Sequence, residues 1–372
     1  MKKKLGLIVN PVAGMGGRVG LKGSDGEEIQ RKARELGAKP ESPQRAVDAL
    51  ERLVVSKDEI EIITYPGDMG ETEARQCGFE PIVIGSAEPG RTTARDTINA
   101  AREMAEQKVD LILFAGGDGT ARNLYDALGN SEIPVIGIPA GVKIHSAVYA
   151  TNSRNAGEVA LMFLQGKIKR VQDSEVMDID EDAFREGRVT ARLYGYLKVP
   201  HEQRLVQNLK SGRTEGEEAA LNSIADEVIE SMEDDVIYVI GPGTTTRAVM
   251  NKLGLENTLL GVDVILNKKV IASDVTESQL LDLIKGKKAK IVVTIIGGQG
   301  YIFGRGNQQI SPRVLREVGK ENIIVIAPQN KLTALGQNPL LIDTGDYEVN
   351  GMISGYYRVV TGYQKTVMRK AE

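Results

Sequence analysis

The chain has 372 residues, with 47 Lys and Arg against 51 Asp and Glu, a formal net charge of -4 and a pI near 5.6. That balance removes the general electrostatic argument for a nucleic-acid or anionic-membrane partner, so any phosphate site must be local. The length exceeds what one hydrophobic core usually supports, which makes two domains the expectation, and the single cysteine, Cys77, excludes an internal disulfide framework, while one Cys with two His argues against structural zinc.

The opening lysines and the apolar run from Leu5 stop at Asn10-Pro11, too short for a signal peptide or a membrane span. The run reads as a first β-strand, and the chain as cytoplasmic with no membrane partner. Glu59 to Thr64, Pro81 to Ile84, Val109 to Ala115 and Pro134 to Ile138 read as further strands, with helical spacing over Gln44 to Val55 and Thr93 to Gln107. Such alternation predicts an α/β domain with a doubly wound parallel sheet over residues 1–151. From about Thr151 the character changes. Val171 to Asp180 and Arg188 to Val199 look like strands, Glu215 to Met232 a charged helix, and Val236 to Ile240 a strand that enters a glycine-rich turn and a helix to about Leu253. Strands are also expected at Ala289 to Ile296, Asn322 to Ile326 and Leu340 to Ile342. Residues 152–345 are therefore read as a β-rich, mixed C-terminal domain, and 346–372 as an extended segment that could return to the first domain.

Four stretches carry chemistry. Leu111 to Ala115 runs straight into Gly116-Gly117-Asp118-Gly119-Thr120. Two glycines before the acid let the backbone approach another molecule closely, and Thr120 can cap a following helix whose N–H groups face an anion. Asp118 can hold magnesium or take a hydroxyl proton; in the bland alternative it caps a helix, for which so many glycines are unnecessary. Asn10-Pro-Val-Ala-Gly14-Met-Gly16-Gly17 offers a nest for phosphate, or a mobile surface loop. It is a weak dinucleotide fingerprint, because the next glycine is displaced to Gly20 and no helix follows promptly. Pro139-Ala-Gly141-Val-Lys143-Ile-His145 brings backbone donors and a cation, with His145 read as structural. Gly241-Pro-Gly243-Thr244-Thr245-Thr246 repeats the strand, glycine turn, helix device, or is an N-cap run. Gly297 to Gly300 and Gly304 to Asn307, with Arg305, suggest close approach to a ligand or a tight hairpin, and Asp343 to Asp346 reads as a turn. No P-loop, GxSxG or HExxH occurs, which leaves kinases outside the P-loop class.

Those residues resemble the NAD kinase superfamily, in its divergent ATP-NAD kinase-like or acetoin-catabolism protein X branch. GGDGT at Gly116 to Thr120 is similar to the signature shared with diacylglycerol and sphingosine kinases. NPVAGMGG and PAGVKIHSA are similar to loops of the lipid-kinase relatives, and GPGTTTRAV to a threonine-rich segment of NAD kinases. The resemblance implies an α/β domain, a β-rich domain, a cleft between them, and transfer of the ATP γ-phosphoryl to the adenosine ribose 2′-hydroxyl of NAD(H). It implies Asp118 as the acid that orients or deprotonates the acceptor and as the contact to Mg through the phosphates. Nucleotide and phosphate contacts would come from Asn10, Gly14, Gly16, Gly116, Gly117, Gly119, Thr120, Asn123, Gly141, Lys143, Gly243, Thr244, Thr245 and Thr246. ATP or polyphosphate would be the donor, Mg the cation, and the assembly a homo-oligomer. The Asn-Glu pair of NAD kinases has no counterpart here beyond Asn222-Ser223, so a lipid or small-metabolite kinase and a non-catalytic NAD or ATP sensor are the alternative readings.

Overall fold

The computed structural model describes residues 2–17, 19–21, 27–88, 90–129, 131–141, 144–179, 191–202, 205–206, 217–296 and 300–372. They divide into two compact units, residues 1–16 with 23–208, and residues 17–22 with 209–372.

The first unit is a five-stranded parallel sheet. In chain order its elements are β1 (Lys3–Val9), α1 (Glu27–Glu35), α2 (Ser42–Leu50), β2 (Ile60–Thr64), α3 (Glu71–Gln76), β3 (Ile82–Val83), α4 (Ala94–Glu106), β4 (Leu111–Gly116), α5 (Asp118–Leu128), β5 (Val135–Pro139), α6 (Ser153–Leu164), β6 (Val171–Ile179) and β7 (Ala191–Pro200). The sheet runs β3-β2-β1-β4-β5. β1 and β4 are unbroken apolar runs because both faces are covered, with Leu5, Leu7, Leu111 and Phe114 fully buried. Thr97, Ala100, Ala101 and Met104 form the buried stripe of α4, whose start is fixed by a Thr93/Asp96 capping box. Gly6 lets that helix close on β1: a Cβ there would lie 2.8 Å from Met104 Sδ.

From β1 the chain crosses to β2 on one side, and from β4 to β5 on the other. The crossover direction therefore reverses between β1 and β4, and ligands of open α/β sheets bind at the carboxyl edge of such a point.

β6 and β7 form an antiparallel ribbon that contacts α5 and β5. This is why the division between units falls at 208/209 and not near Thr151: the ribbon covers the first sheet's helices and stays with them. The change in composition at Thr151 marks the end of the parallel sheet, not the end of the compact unit.

The second unit holds α7 (Glu217–Glu230), β8 (Ile237–Ile240), α8 (Thr244–Lys252), β9 (Asp263–Leu266), β10 (Lys269–Ala272), α9 (Glu277–Ile284), β11 (Ala289–Thr294), β12 (Tyr301–Phe303), α10 (Pro312–Val318), β13 (Ile323–Ile326), α11 (Gln329–Ala334), β14 (Leu341–Ile342), α12 (Tyr347–Ile353), β15 (Gly355–Gly362) and β16 (Lys365–Ala371). Its main sheet is mixed, β10-β9-β8-β11-β13-β15-β16, with β8, β11, β13 and β15 parallel and the outer strands antiparallel. The period-two alternation of strands sorts the core into two layers. Val239, Ile291, Val293 and Val325 enter one cluster, and Tyr238, Ile240, Val292 and Ile326 the other.

Most of the last residues are extended, as the sequence suggested, in β15 and β16, but a short helix precedes them. Asp346 caps α12, accepting from the Val349 N–H at 3.1 Å, and β15 and β16 then close the edge of the second unit's own sheet. Residues 346–372 are grouped with the second unit. Gly297 to Gln299 lie outside the described residues, as do Val142 and Lys143.

Candidate functional site

At the carboxyl ends of β1, β4 and β5 three turns meet. Asn10 opens the first: its N–H donates to the Ala115 carbonyl at 3.0 Å, and its Nδ2 donates to Thr120 Oγ1 at 3.0 Å. The loop is packed, with Ala13, Met15 and Gly16 buried. Gly14 has φ +81, and a Cβ there would lie 2.1 Å from the Ala140 carbonyl oxygen, so only glycine fits.

The second turn is Gly116 to Thr120. Thr120 does not cap α5, as the sequence suggested. It lies inside the helix, and the N-cap is Gly117, with no side-chain cap. The Gly117 carbonyl accepts from the N–H groups of Thr120 and Ala121 at 2.9 and 3.1 Å and from the Tyr149 hydroxyl at 2.5 Å. The N–H groups of Asp118 and Gly119 have no acceptor among the described residues, as expected of a first helical turn. They are the donors an anion would find, at the positive end of an 11-residue helix. Gly116 is required by its own motif: a Cβ there would lie 2.3 Å from Thr120 Oγ1. Asn123 is half-buried one turn further along α5.

Asp118 caps nothing in its own helix. Its Oδ2 accepts from the His145 N–H at 2.8 Å and its Oδ1 from the Ser146 N–H at 2.9 Å. The carboxylate thus bolts the loop after β5 onto α5, with its side chain 11% exposed and His145 Nδ1 at 3.4 Å. The N–H groups of residues 145 and 146 are consumed by this brace. An ionised carboxylate with two fixed donors still has lone pairs to accept a third.

The third turn is Pro139 to Gly141. The N–H groups of Ala140 and Gly141 both donate to the Gly116 carbonyl, at 2.9 and 3.1 Å. Gly141 and Gly117 touch through bare backbone: a Cβ on Gly141 would lie 2.8 Å from Gly117 Cα. The backbone of Gly141 is otherwise ordinary, so Gly141→Ala should act by this collision alone, parting the two turns at a cost of about 1–3 kcal/mol. The expected result is a lower melting temperature together with at least about a tenfold loss of nucleotide affinity, read by calorimetric titration.

Two further residues hold the site that sequence reasoning missed. Tyr149, fully buried, packs edge-on to Phe114 at 5.2 Å while its hydroxyl holds Gly117. A tyrosine inside the apolar run Ala147 to Ala150 was the available signal, since a buried phenol needs a partner. Arg45, 7% exposed, donates from Nη1 to the Pro139 carbonyl at 3.1 Å, fixing the entry to the Gly141 turn. Its signal was a charge among the apolar positions of α2.

Of the sequence candidates in this unit, Asn10, Gly14, Gly116, Gly117, Asp118, Thr120 and Gly141 form one connected cradle, and Gly16, Gly119 and Asn123 adjoin it in the same loop and helix. Gly243 and Thr244 to Thr246 form the first turn of α8, in the second unit. Gly243 has φ 131 and ψ 163, open only to glycine, and Thr246 Oγ1 donates to its carbonyl at 2.9 Å. Cys77 contributes no nucleophile: burial pushes its thiol up to about 11, so it stays protonated at neutral pH.

Among the described residues, no group of three or more His, Cys, Asp or Glu could hold a metal, and no helix is long and apolar enough to cross a membrane. A divalent ion would have to be held largely by a ligand's own phosphates, which is how magnesium commonly binds.

Comparison with curated proteins gives no match. Among solved structures, a diacylglycerol kinase from Bacillus anthracis str. Sterne is 19% identical over 48% of this chain and 43% of its own, with a TM-score of 0.25. The chain thus spans less than half of that protein's length. An S. aureus MnaA-UDP structure is 11% identical over 88% and 79% of the two chains, TM-score 0.24, and a UDP-N-acetylglucosamine 2-epimerase is 10% identical over 92% and 84%, TM-score 0.24. Likeness at that level carries no functional argument. The family models are more direct: the ATP-NAD kinase N-terminal domain matches residues 5–168 and the ATP-NAD kinase C-terminal domain matches residues 233–370. With both halves of the family matched, in order and over most of its length, the chain belongs to the ATP-NAD kinase family.

Proposed function

We propose that the protein transfers the γ-phosphoryl group of ATP to a hydroxyl of a nucleotide, the adenosine ribose 2′-hydroxyl of NAD(H), giving NADP(H) and ADP. The observation that carries this reading is the cradle at the reversal point of the first sheet. Bare backbone at Gly14, Gly117 and Gly141 lets the three turns close on one another, the N–H groups of Asp118 and Gly119 are unengaged, and one ordered carboxylate stands beside them. Membership of the ATP-NAD kinase family supports NAD(H) as that acceptor.

Phosphoryl transfer asks for positioning and charge stabilisation more than covalent help from the protein. The first turn of α5 would hold phosphate oxygens through backbone donors and the helix dipole. Asp118, fixed by its two backbone donors, would orient the acceptor hydroxyl and take its proton. The new bond joins that oxygen to the γ-phosphorus, the bond to the bridging β–γ oxygen breaks, and ADP leaves with the bonding pair. Magnesium fits only as a partner of the phosphates, with Asp118 the adjacent carboxylate. When bound it would neutralise charge on the transferring group.

Incubating the protein with ATP, Mg²⁺ and either NAD or NADH, and following 2′-phosphorylated product by mass, tests the assignment. Product with either acceptor is the expected result. Polyphosphate in place of ATP tests the donor. Unchanged NAD(H) alongside ATP consumption would direct the search to other hydroxylated acceptors. Tight nucleotide binding without any turnover would instead favour a sensor.

A further inference from the structure

Ser146 stands between the Asp118 carboxylate and the β6–β7 ribbon. Its N–H donates to Asp118 Oδ1 at 2.9 Å, and its hydroxyl oxygen accepts from the Met177 N–H of β6, also at 2.9 Å. One residue on, the Ala147 N–H donates to the Glu175 carbonyl at 2.8 Å. The loop after β5 is thus tied on one side to the carboxylate and on the other to the ribbon. Ser146 is fully buried, so its hydroxyl holds Met177 with little competition from bulk water.

The ribbon is irregular at the same place. Val176 lies opposite Gly195 and Met177 opposite Leu193, which leaves Tyr194 as an extra residue in β7. A bulge bends the strand pair and re-aims the groups beside it. Here the residue of β6 at the bulge is the one that bonds to Ser146, and the extra residue of β7 turns to α5. The Tyr194 hydroxyl donates to Asp126 Oδ1 at 2.9 Å, and its ring meets Tyr125 edge-on at 5.5 Å. Gly195 lets the ribbon come this close, because a Cβ there would lie 2.3 Å from Tyr125 Cε2. Asp126 lies about two turns along α5 from Asp118. A circuit therefore closes within the first unit: from Asp118 to Ser146, to Met177, across the bulge to Tyr194, and back to the same helix.

We propose that Ser146 and Tyr194 are positioning residues for the phosphoryl transfer: through the ribbon they set where the Asp118 carboxylate stands against the acceptor hydroxyl. The inference rests on the transfer reading of Asp118 given above. Two backbone donors fix a carboxylate only as firmly as the loop that carries them is itself fixed. Without the ribbon, residues 145 and 146 would follow Asp118 instead of holding it, and a misplacement of about 1 Å can cost about 10² in rate. Neither residue belongs to a motif, because the links span 28, 31 and 68 positions of the sequence.

The test reads the position of Asp118 and its consequence separately, on the full chain with ¹³C-labelled aspartate carboxyls and with turnover at saturating ATP and NAD. Ser146→Ala keeps the N–H that Asp118 accepts and removes the acceptor of Met177. It should move the Asp118 carboxyl resonance and lower kcat by about ten- to a hundredfold, with KM little changed. Tyr194→Phe keeps the ring on Tyr125 and should move the same resonance with a smaller loss of kcat. It also serves where the alanine variant folds poorly. The double variant should lose less than the product of the two single losses, as expected of links in one circuit. Tyr65→Phe is the control: it deletes a comparable hydroxyl bond of a buried tyrosine, to Glu103 Oε1 at 2.6 Å, and should leave the resonance and kcat as they are. An Asp118 resonance that stays in place in both ribbon variants would overturn the proposal, as would an equal shift in Tyr65→Phe or an unchanged kcat in an active chain. A parent chain without turnover would count against the transfer reading alone, since the resonance still decides whether the ribbon places Asp118.

Discussion

Asp118→Asn should lower turnover by about 10²- to 10⁴-fold, the usual contribution of a positioned general base, and it should also lower stability. The second effect follows from the hydrogen bonds in the structure. Both Asp118 oxygens accept backbone N–H groups, from His145 and Ser146. An asparagine presents one acceptor and one NH₂, so one of those donors would face another donor. Leaving a part-buried N–H unsatisfied costs about 1–3 kcal/mol. A loss of activity alone therefore cannot distinguish a catalytic carboxylate from a structural brace. The two roles separate on different readouts. A brace that fails loosens the loop at 145–146 and raises the KM for nucleotide along with a lower melting temperature, while kcat survives when substrate is saturating. A base that is lost lowers kcat at saturating substrate. The expected result is both, with the larger share in kcat. A variant whose kcat at saturation stays within a few fold of the parent would assign Asp118 to the scaffold and remove it from the chemistry.

The alternation of apolar runs and helical spacing made the first sheet legible, because β1, β4 and β5 are buried on both faces and carry unbroken hydrophobic stretches. Their glycine turns were legible for the same reason: a turn at the end of a buried parallel strand faces the edge where ligands bind. What the sequence concealed was contact between turns. Nothing local to Asp118 shows that its partners are the N–H groups 27 and 28 residues away, and those donors belong to the backbone, which leaves no residue-type signature. Thr120 was read as a cap because threonine favours that position, yet the helix already begins at Asp118 and the Thr120 hydroxyl accepts from the Asn10 amide of the neighbouring turn. The domain limit was hidden similarly. β6 and β7 read as a new β-rich region by composition, and only their packing on α5 and β5 assigns them to the first unit. In the second unit β9 and β10 escaped notice because each is only four residues long, too short for a periodic pattern to stand out.

Glu73→Gln should stabilise the protein at pH 8 by about 2 kcal/mol and change it little at pH 5. Glu73 lies on α3, 2% exposed, with its Oε2 lacking any hydrogen-bond partner. Burial, reinforced by the charge of Asp68, pushes its carboxyl from 4.5 up to about 7. The folded protein therefore holds this proton more tightly than the unfolded chain does. Below about pH 4.5 both states are protonated and the residue carries no charge penalty. As pH rises from 4.5 to 7 the unfolded chain releases the proton first, so stability falls through that window, and above it the full cost of a buried charge is present. A pKa unit corresponds to about 1.4 kcal/mol. The shift then bounds the cost near 3 kcal/mol, and partial solvation of the carboxylate brings the expectation to about 2. Glutamine keeps the size and removes the titration. Urea midpoints of the two proteins should accordingly diverge between pH 5 and pH 8, and equal midpoints across that range would show that the carboxylate finds a compensating partner in solution. The same comparison separates stability from chemistry. α3 follows β2, which flanks β1 on the side away from β4, whereas the Asp118 turn follows β4. Turnover measured well below the melting temperature should therefore be the same in both proteins, leaving any pH dependence of the rate to groups in the cradle itself.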